Sequence, residues 1–471
     1  MSVRGQLALG LGRLAQLATR QLNLGGGTNL PGRIARRIAP DVLREQAARL
    51  PGGVILVSGT NGKTTTSRML AAILEAGGGK VLHNRAGANL ITGLTAATLD
   101  MGVWGAPRYQ HAIFEVDEAH LPGAIAETRP RVVLLLNLFR DQLDRYGEVD
   151  TLAAKWRAAL AALPATSTVV LNADDPAVAD LAGGLQARVL FYGLEDTRHR
   201  NDDLRHAADS IFCRRCGQPY AYDPAYYGHI GRYSCPNCGH ARPAPDVTLA
   251  RLELDGTRGS ALALTAAAGQ SGLRALDVLL PLPGLYNALN ATAAAAAALA
   301  CDQPLPVIRS ALESFSAAFG RIERFSIGQH PLLMVLIKNP IGASESVRMI
   351  TGQAPAGGGA GLHALIAIND KIADGTDVSW LWDADFEALN GHVARAVVAG
   401  TRAEDMAVRL KYAGLDPALI TVVPDLDAAL ERLLADTPPG QEVTLLPTYT
   451  AMLELRAHLV DRGVLKPFWE S

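Results

Sequence analysis

A loop rich in glycine and threonine stands between a short apolar run and a segment of helical character. Its residues are Gly59, Thr60, Asn61, Gly62, Lys63, Thr64 and Thr65. In a loop of this kind the backbone N–H groups and the N-terminus of the following helix face phosphate groups, while Lys63 neutralises the terminal phosphates and Thr64 ligates Mg²⁺. The alternative, a glycine turn with an incidental lysine, does not account for the flanking strand and helix. The sequence therefore predicts a nucleotide site on an α/β core.

Strand-like apolar runs alternate with helical segments along most of the chain, which predicts an α/β fold whose parallel sheets are covered on both faces. Residues 205–245 interrupt this pattern with paired cysteines, many tyrosines and few aliphatic residues. We expect the α/β pattern to resume after them, to end in an alanine-rich helix, and to restart from residue 319. The predicted units are a basic arm at 1–45, a central ATP-binding domain at 46–318 with an insertion at 205–245, and a C-terminal doubly wound α/β domain at 319–471.

The insertion carries four of the five cysteines of the chain. They form two C-x-x-C pairs, separated by 18 residues: Cys213 with Cys216, and Cys235 with Cys238. This spacing is typical of a tetrahedral zinc ribbon, and four thiolates close the coordination sphere, which predicts a structural zinc rather than a catalytic one. A pair of redox disulfides is the alternative. The few cysteines and their pairing indicate a reducing, cytoplasmic location.

The first 40 residues contain six arginines and no acidic residue before Asp41, and Leu7, Leu11, Leu14 and Leu17 recur at helical spacing. A basic amphipathic helix can lie on the anionic inner face of the plasma membrane, and a helix packed on the next domain is an equal alternative. No window approaches 18 consecutive uncharged apolar residues, so no bilayer span is predicted. The net charge of -2 gives no whole-molecule attraction to nucleic acid.

Several further blocks follow the loop in the order that they take in the Mur ligases. They lie at residues 87–89, Glu115, 137–147, 172–176 and 284–290. The loop itself has Val57 where the general GxxxxGK[ST] pattern has its first glycine, and it is similar to the shorter GTNGKT loop of this family. The chain resembles the Mur ligases over most of residues 50–340.

The resemblance implies a Mur-ligase-like central domain that binds ATP and Mg²⁺ and uses Lys63 and Glu115 in catalysis. It implies that Glu115, at the end of a strand, holds Mg²⁺ together with Thr64, and that Asn287 and Asn290 help to hold the nucleotide base. Alone, two asparagines three residues apart on an alanine-rich helix are more often a cap and a packed amide.

The chain also departs from the Mur ligases that add amino acids to a soluble nucleotide precursor. Only about 50 residues precede the loop, which is too few for the additional N-terminal domain of those enzymes. Gln142 replaces the histidine of their DHLD block, and Lys338 precedes Asn339-Pro340 in the block VLIKNP. Lys155 resembles a lysine that some Mur ligases carbamylate, although an ordinary exposed helix lysine is favoured. These exchanges resemble those of the MurT-type subgroup. The resemblance implies that ATP drives amidation of the D-glutamate α-carboxyl of the lipid II stem peptide through an acyl phosphate.

Residues 369–383 follow the strand-like run HALIAI and contain four aspartates and two tryptophans. The resemblance implies that Asp377, with Asp374 as the second choice, completes the catalytic triad of a partner glutaminase of the GatD type. Asx turns and helix caps account for part of this composition. A glutaminase needs a cysteine nucleophile beside a base, and Cys301 has no motif around it, so ammonia is expected from the partner.

Two other functions stay open at this point. One is a Mur-type amino-acid ligase, folylpolyglutamate- or cyanophycin-like. The other is a zinc-ribbon nucleic-acid-binding ATPase, for which Arg214, Arg215 and the neighbouring tyrosines could be cited. No larger basic surface accompanies them, and no nucleic-acid partner is expected.

Overall fold

The computed structural model describes residues 2–21, 29–84, 88–102, 108–140, 149–201, 209–267, 273–316, 322–352 and 361–466. The chain begins with three helices, α1 (Val3–Gln21), α2 (Leu30–Ile38) and α3 (Val42–Ala47). They share a small apolar core that includes Ala8, Leu9, Ala35 and Leu99. No helix in the described ranges is long and apolar enough to cross a membrane.

The central part of the chain is built on a nine-stranded sheet in the order β11-β10-β9-β6-β5-β4-β1-β3-β2. The strands of this part are β1 (Val54–Ser58), β2 (Val81–His83), β3 (His111–Glu115), β4 (Val132–Leu135), β5 (Thr168–Asn172), β6 (Arg188–Leu194), β7 (Ala221–Tyr227), β8 (Ile230–Ser234), β9 (Val247–Asp255), β10 (Gly259–Ala267) and β11 (Leu273–Leu280). The pairings among β1–β6 are parallel, and β7 pairs with β8 as a separate antiparallel hairpin.

Helices cover both faces of this sheet. They are α4 (Lys63–Ala76), α5 (Ile91–Thr98), α6 (Leu121–Thr128), α7 (Val149–Leu160), α8 (Pro176–Ala179), α9 (Leu285–Ala300) and α10 (Leu305–Glu313). The central parallel strands are buried along their whole length, which explains their continuous Val, Ile and Leu runs. The alanines of α9 let that helix approach the sheet closely, and Ala293–Ala298 are all buried. The predicted α/β core is confirmed.

One expectation was wrong. The α/β pattern does not resume directly after the insertion, because β9, β10 and β11 are consecutive antiparallel strands at one edge of the sheet. Their side chains alternate between buried and exposed positions over much of their length, since one face of this edge meets solvent. The α/β pattern returns only with α9.

The C-terminal part has a six-stranded sheet in the order β12-β13-β17-β14-β15-β16. Its strands are β12 (Ile322–Ile327), β13 (His330–Val335), β14 (Leu362–Ala367), β15 (Val393–Ala399), β16 (Ile420–Val422) and β17 (Val443–Pro447), and its helices are α11 (Pro340–Thr351), α12 (Ala403–Tyr412), α13 (Leu426–Asp436) and α14 (Tyr449–Asp461). One apolar core includes α11 and α12, and another, on the opposite face, includes α13 and α14. The doubly wound arrangement is confirmed, whereas the domain boundaries stay predictions.

Candidate active site

The loop of residues 59–65, here called the phosphate loop, needs glycine at two positions. Gly59 has φ 142° and Gly62 has φ 87°, conformations that a side chain strongly disfavours. A Cβ atom on Gly62 would also lie 2.2 Å from Oδ1 of Asn290. The loop ends at the N-terminus of α4, where backbone N–H groups have no partner within the helix. This geometry fits an anionic ligand at the start of α4.

The segment after β4 fixes the conformation of the phosphate loop. The Phe139 N–H donates to Oγ1 of Thr60 at 2.9 Å, and the Asn61 N–H donates to Oδ1 of Asn137 at 2.8 Å. The side chain of Asn137 donates in return to the Asn61 carbonyl at 3.1 Å. The Nδ2 atom of Asn61 itself is buried and has no hydrogen-bond partner in the described part of the chain. A buried donor without a partner beside the loop suits a bound nucleotide.

Lys63 and Thr64 of the phosphate loop each donate a hydrogen bond to a glutamate. Nζ of Lys63 donates to Oε1 of Glu118 at 2.9 Å, and both side chains are about nine-tenths buried. Oγ1 of Thr64 donates to Oε2 of Glu115 at 2.8 Å, and Glu115 is the last residue of β3. The two predicted Mg²⁺ ligands are therefore in contact, and their hard oxygen donors suit that ion. Sequence reasoning did not single out Glu118, which lies three residues beyond the strand.

Asn287 and Asn290 lie on the first turns of α9 and line one pocket together with Asn61 and Gly62. Nδ2 of Asn287 donates to the Pro283 carbonyl at 2.7 Å, which orients the amide toward the pocket wall. The structure thus brings the predicted nucleotide residues together. Both asparagines are buried, so the packed-amide interpretation also holds for part of each side chain.

Three further residues of the same pocket come from distant parts of the chain. Tyr227 is the last residue of strand β7 in the insertion, while Lys338 and Glu345 belong to the C-terminal part. Nδ2 of Asn339, beside Lys338, donates to Oδ1 of Asn61 at 2.8 Å and so connects the C-terminal part to the phosphate loop. Sequence reasoning had noted Lys338 and Asn339 only as a departure from the Mur pattern, and it missed Tyr227 and Glu345.

Burial controls the ionisation of two groups in this pocket. It raises the pKa of Tyr227 far above its usual range, and the nearby charge of Glu345 acts in the same direction. Burial also raises the pKa of Glu345, against the opposing effect of Arg348. Tyr227 is therefore a neutral phenol at physiological pH, and its aromatic side chain forms part of the pocket lining.

Residues 369–383, here called the carboxylate loop, follow β14. Asp377 is exposed, and its Oδ1 accepts a hydrogen bond from the Ser379 N–H at 2.8 Å. That hydrogen bond lowers the pKa of Asp377, so the group is a carboxylate at neutral pH. Asp374 is buried and accepts from the Thr450 N–H at 2.8 Å, at the first turn of α14. Of the two aspartates, Asp377 is the one that another molecule can reach.

The sulfur atoms of Cys213, Cys216, Cys235 and Cys238 all lie within 4.8 Å of one another. The Cys213–Cys238 and Cys216–Cys235 Sγ distances are 3.6 and 3.4 Å. A zinc ion with Zn–S bonds of about 2.3 Å would hold tetrahedral sulfur atoms about 3.8 Å apart, so the cluster fits that metal.

The two arginines of the first cysteine pair, Arg214 and Arg215, each lie beside an aspartate in the part of the chain that the structure describes. Arg214 pairs with Asp150 at 2.8 Å, and Tyr220 and Tyr233 are buried with their rings 5.0 Å apart. These contacts favour a stabilising insertion over a nucleic-acid surface. Lys155 is exposed on α7, and the DQLD block at residues 141–144 lies outside the described residues.

The chain is similar to known proteins along most of its length. The model of the Mur ligase middle domain matches residues 57–220, and the model of the MurT ligase C-terminal domain matches residues 336–452. The chain is 31% identical over 467 residues to the lipid II isoglutaminyl synthase (glutamine-hydrolyzing) subunit MurT of Streptococcus pneumoniae, covering 99% of each chain. It is 30% identical to the corresponding subunit of Staphylococcus aureus, covering 97% of this chain and 98% of that one.

A crystal structure of MurF from Acinetobacter baumannii superimposes with a TM-score of 0.65 at 20% identity, covering 92% of this chain and 80% of that one. At this identity the likeness concerns the fold alone.

Proposed function

The chain belongs to the MurT family of Mur-type ligase subunits, and from that premise we propose that it is the ATP-using subunit of a lipid II isoglutaminyl synthase. The proposed reaction converts the D-glutamate α-carboxyl of the lipid II stem peptide into an amide, with ATP cleaved to ADP and phosphate. The observation that carries the proposal is the phosphate loop, where Lys63 and Thr64 each contact a buried glutamate beside a pocket lined by Asn287 and Asn290. The reaction is proposed to take place in the cytoplasm.

The first proposed step transfers the γ-phosphoryl group of ATP to the substrate carboxylate, which forms an acyl phosphate. Lys63 and the N–H groups at the start of α4 offset the negative charge that spreads over the transferred group. Thr64 and Glu115 would hold Mg²⁺, which supplies further charge neutralisation when bound. Glu118 positions Lys63 through their 2.9 Å contact.

The second proposed step is attack of ammonia on the acyl phosphate, which forms the C–N bond and releases phosphate. The ammonia is proposed to come from a GatD-type glutamine amidotransferase subunit that supplies its own cysteine and histidine. Asp377 is proposed to complete that triad from this chain, because a carboxylate that orients a histidine must be charged and accessible. Asp374 is committed to the Thr450 N–H and is the weaker candidate.

A structural zinc ion is proposed for the four cysteines. Purified chain is expected to contain one zinc per chain, and Cys216→Ser with Cys238→Ser is expected to remove it and to lower the melting temperature. A metal content near zero in wild-type protein prepared without chelator would contradict this assignment.

The test of the proposed function is amide formation on lipid II, followed by mass spectrometry, with ATP and Mg²⁺. The chain alone should form the amide with ammonium, and the chain with its partner should also use glutamine. If free amino acids were incorporated instead, the folylpolyglutamate- or cyanophycin-like alternative would stand. ATP hydrolysis stimulated by nucleic acid in a salt-dependent manner would support the zinc-ribbon ATPase.

A further inference from the structure

Helix α1 has a packed face made mainly of small residues. Gly5, Ala8, Leu9 and Gly12 are all buried. A Cβ atom on Gly12 would lie 3.0 Å from Cδ2 of Leu99, and one on Gly5 would lie 2.3 Å from Oε2 of Glu45. These close approaches determine which side of the helix faces the protein, since larger side chains could not replace the glycines without displacing their neighbours.

The opposite side of α1 is apolar and exposed. The exposed fractions are 74% for Val3, 57% for Leu7, 47% for Leu11, 62% for Leu14 and 52% for Leu17. At 3.6 residues per turn these five side chains occupy a stripe about 120° wide, centred roughly opposite the packed face. The sequence had left open whether this helix lies on a membrane or packs on the next part of the chain. The helix packs through its glycine and alanine side together with Leu9, and Leu7, Leu11, Leu14 and Leu17 stay exposed.

The charged side chains of α1 itself are all positive, and Glu45 approaches the helix from its packed side. Arg4 and Arg13 are exposed and lie on opposite flanks of the stripe, and Arg33 and Arg37 are exposed on α2. No acidic residue occurs before Asp41, and Asp41 lies 3.4 Å from Arg44. A leucine stripe between basic flanks has the character of a helix that lies in the interface of an anionic bilayer.

Helix α2, on which α1 packs, contacts the central part of the chain. Nη2 of Arg36 on α2 donates to Oε1 of Glu127 on α6 at 2.9 Å, and Ala35 of α2 contributes to the core shared with α1. Because α1 packs on a helix that contacts the central part of the chain, its exposed apolar face has a defined orientation relative to that part.

We propose that the outer face of α1, defined by Val3, Leu7, Leu11, Leu14 and Leu17, docks on the surface of an anionic lipid bilayer with the helix axis parallel to the membrane. A second copy of the chain is a poorer occupant, because pairing two such faces would bring their arginine flanks together. The inference deepens the proposed function, since it gives the enzyme a means of reaching a lipid-linked substrate. Binding to lipid, however, is measured without turnover.

The experiment is co-sedimentation of the full chain with phosphatidylcholine vesicles, with and without phosphatidylglycerol. We expect binding to the anionic vesicles and at least about tenfold weaker binding to the neutral ones. The triple variant Leu7→Gln, Leu11→Gln, Leu14→Gln should lose binding to both, and Arg4→Gln with Arg13→Gln should lose the preference for anionic lipid. Leu279→Gln, at a side chain that is 68% exposed on β11, is the matched control and should bind as wild type.

Two measurements separate this inference from the proposed function. Thermal melting of each variant should match wild type, because the substituted side chains are exposed. Amide formation on detergent-dissolved lipid II should also be unchanged in the triple variant. In the wild-type chain, turnover without vesicle binding would overturn the docking proposal alone, and vesicle binding without turnover would overturn the proposed function alone. A wild-type dimer that the triple variant converts to monomer, without any effect on vesicle binding, would assign the face to a second copy and overturn the proposal.

Discussion

The phosphate loop and the carboxylate loop occupy equivalent places in their two sheets, since each follows a buried strand of a doubly wound or mostly parallel sheet. They differ in how their functional side chains are partnered. Lys63 and Thr64 are held by glutamates of the same chain. Asp377 is exposed, and in the described part of the chain its carboxylate is hydrogen-bonded only by Ser379, two residues further along. The side chains of the phosphate loop are therefore partnered as in a site that is complete within one chain. The exposed carboxylate of the other loop is what a site completed by another molecule would present.

This contrast assigns the ATP-dependent activation of the carboxylate to the phosphate loop and the supply of ammonia from glutamine to the carboxylate loop. Substitutions at the phosphate loop should affect the reaction whatever the source of ammonia. Substitutions at the carboxylate loop should matter only when glutamine is the source.

Lys63→Ala should lower the rate of amide formation roughly a thousandfold, with ammonium and with glutamine alike. The negative charge that develops on the transferred phosphoryl group is then no longer offset by the Lys63 ammonium. The measurement is the rate of ADP release at saturating ATP. Lys411→Ala, at an exposed position on α12, is the control and should be neutral. A variant that lost only the glutamine-driven rate would break the contrast between the two loops.

Tyr227→Leu should raise the KM for ATP about tenfold with little change in kcat, because the pocket loses an aromatic wall. Tyr227→Phe keeps the ring and should restore most of the affinity. ATP titration with each ammonia source measures the effect, which should be equal for both. An unchanged KM in the leucine variant would mean that Tyr227 is a packing residue.

Asp374→Ala should lower stability without a specific effect on glutamine use. It removes the acceptor of the Thr450 N–H at the start of α14, which costs about 1–2 kcal/mol and lowers the melting temperature by about 2–8 °C. Thermal melting followed by circular dichroism detects the change, and Asp383→Ala, at an exposed aspartate in the same loop, should melt as wild type. Selective loss of glutamine-driven activity in Asp374→Ala at low temperature would exchange the roles of Asp374 and Asp377.

The strand, turn and helix around the phosphate loop could be predicted from the sequence because this geometry is local, with two glycines at positive φ between the strand and the helix start. The sequence did not predict Glu118, Tyr227 or Glu345, since their roles depend on tertiary contacts between distant segments. The antiparallel strands β9–β11 were missed because their alternating burial at a sheet edge differs from the continuous apolar runs that marked the other strands.

For the N-terminal arm, periodicity alone identified the helix but could not tell which face packs. That choice depends on how closely Gly5 and Gly12 approach Glu45 and Leu99, which only the folded structure shows. The family resemblance already placed Asp377 ahead of Asp374, and the exposure and hydrogen bonding of the two side chains, which only the folded structure shows, support that order.

The contrast between the two loops is tested most directly with Asp377→Asn, an exchange that keeps the shape of the side chain and removes its charge. Amide formation on lipid II by this variant, in complex with the partner glutaminase, should be measured with ammonium and with glutamine. The account predicts a wild-type rate with ammonium and a loss of roughly a hundredfold or more with glutamine. Equal loss with both sources, or no loss with either, would contradict it.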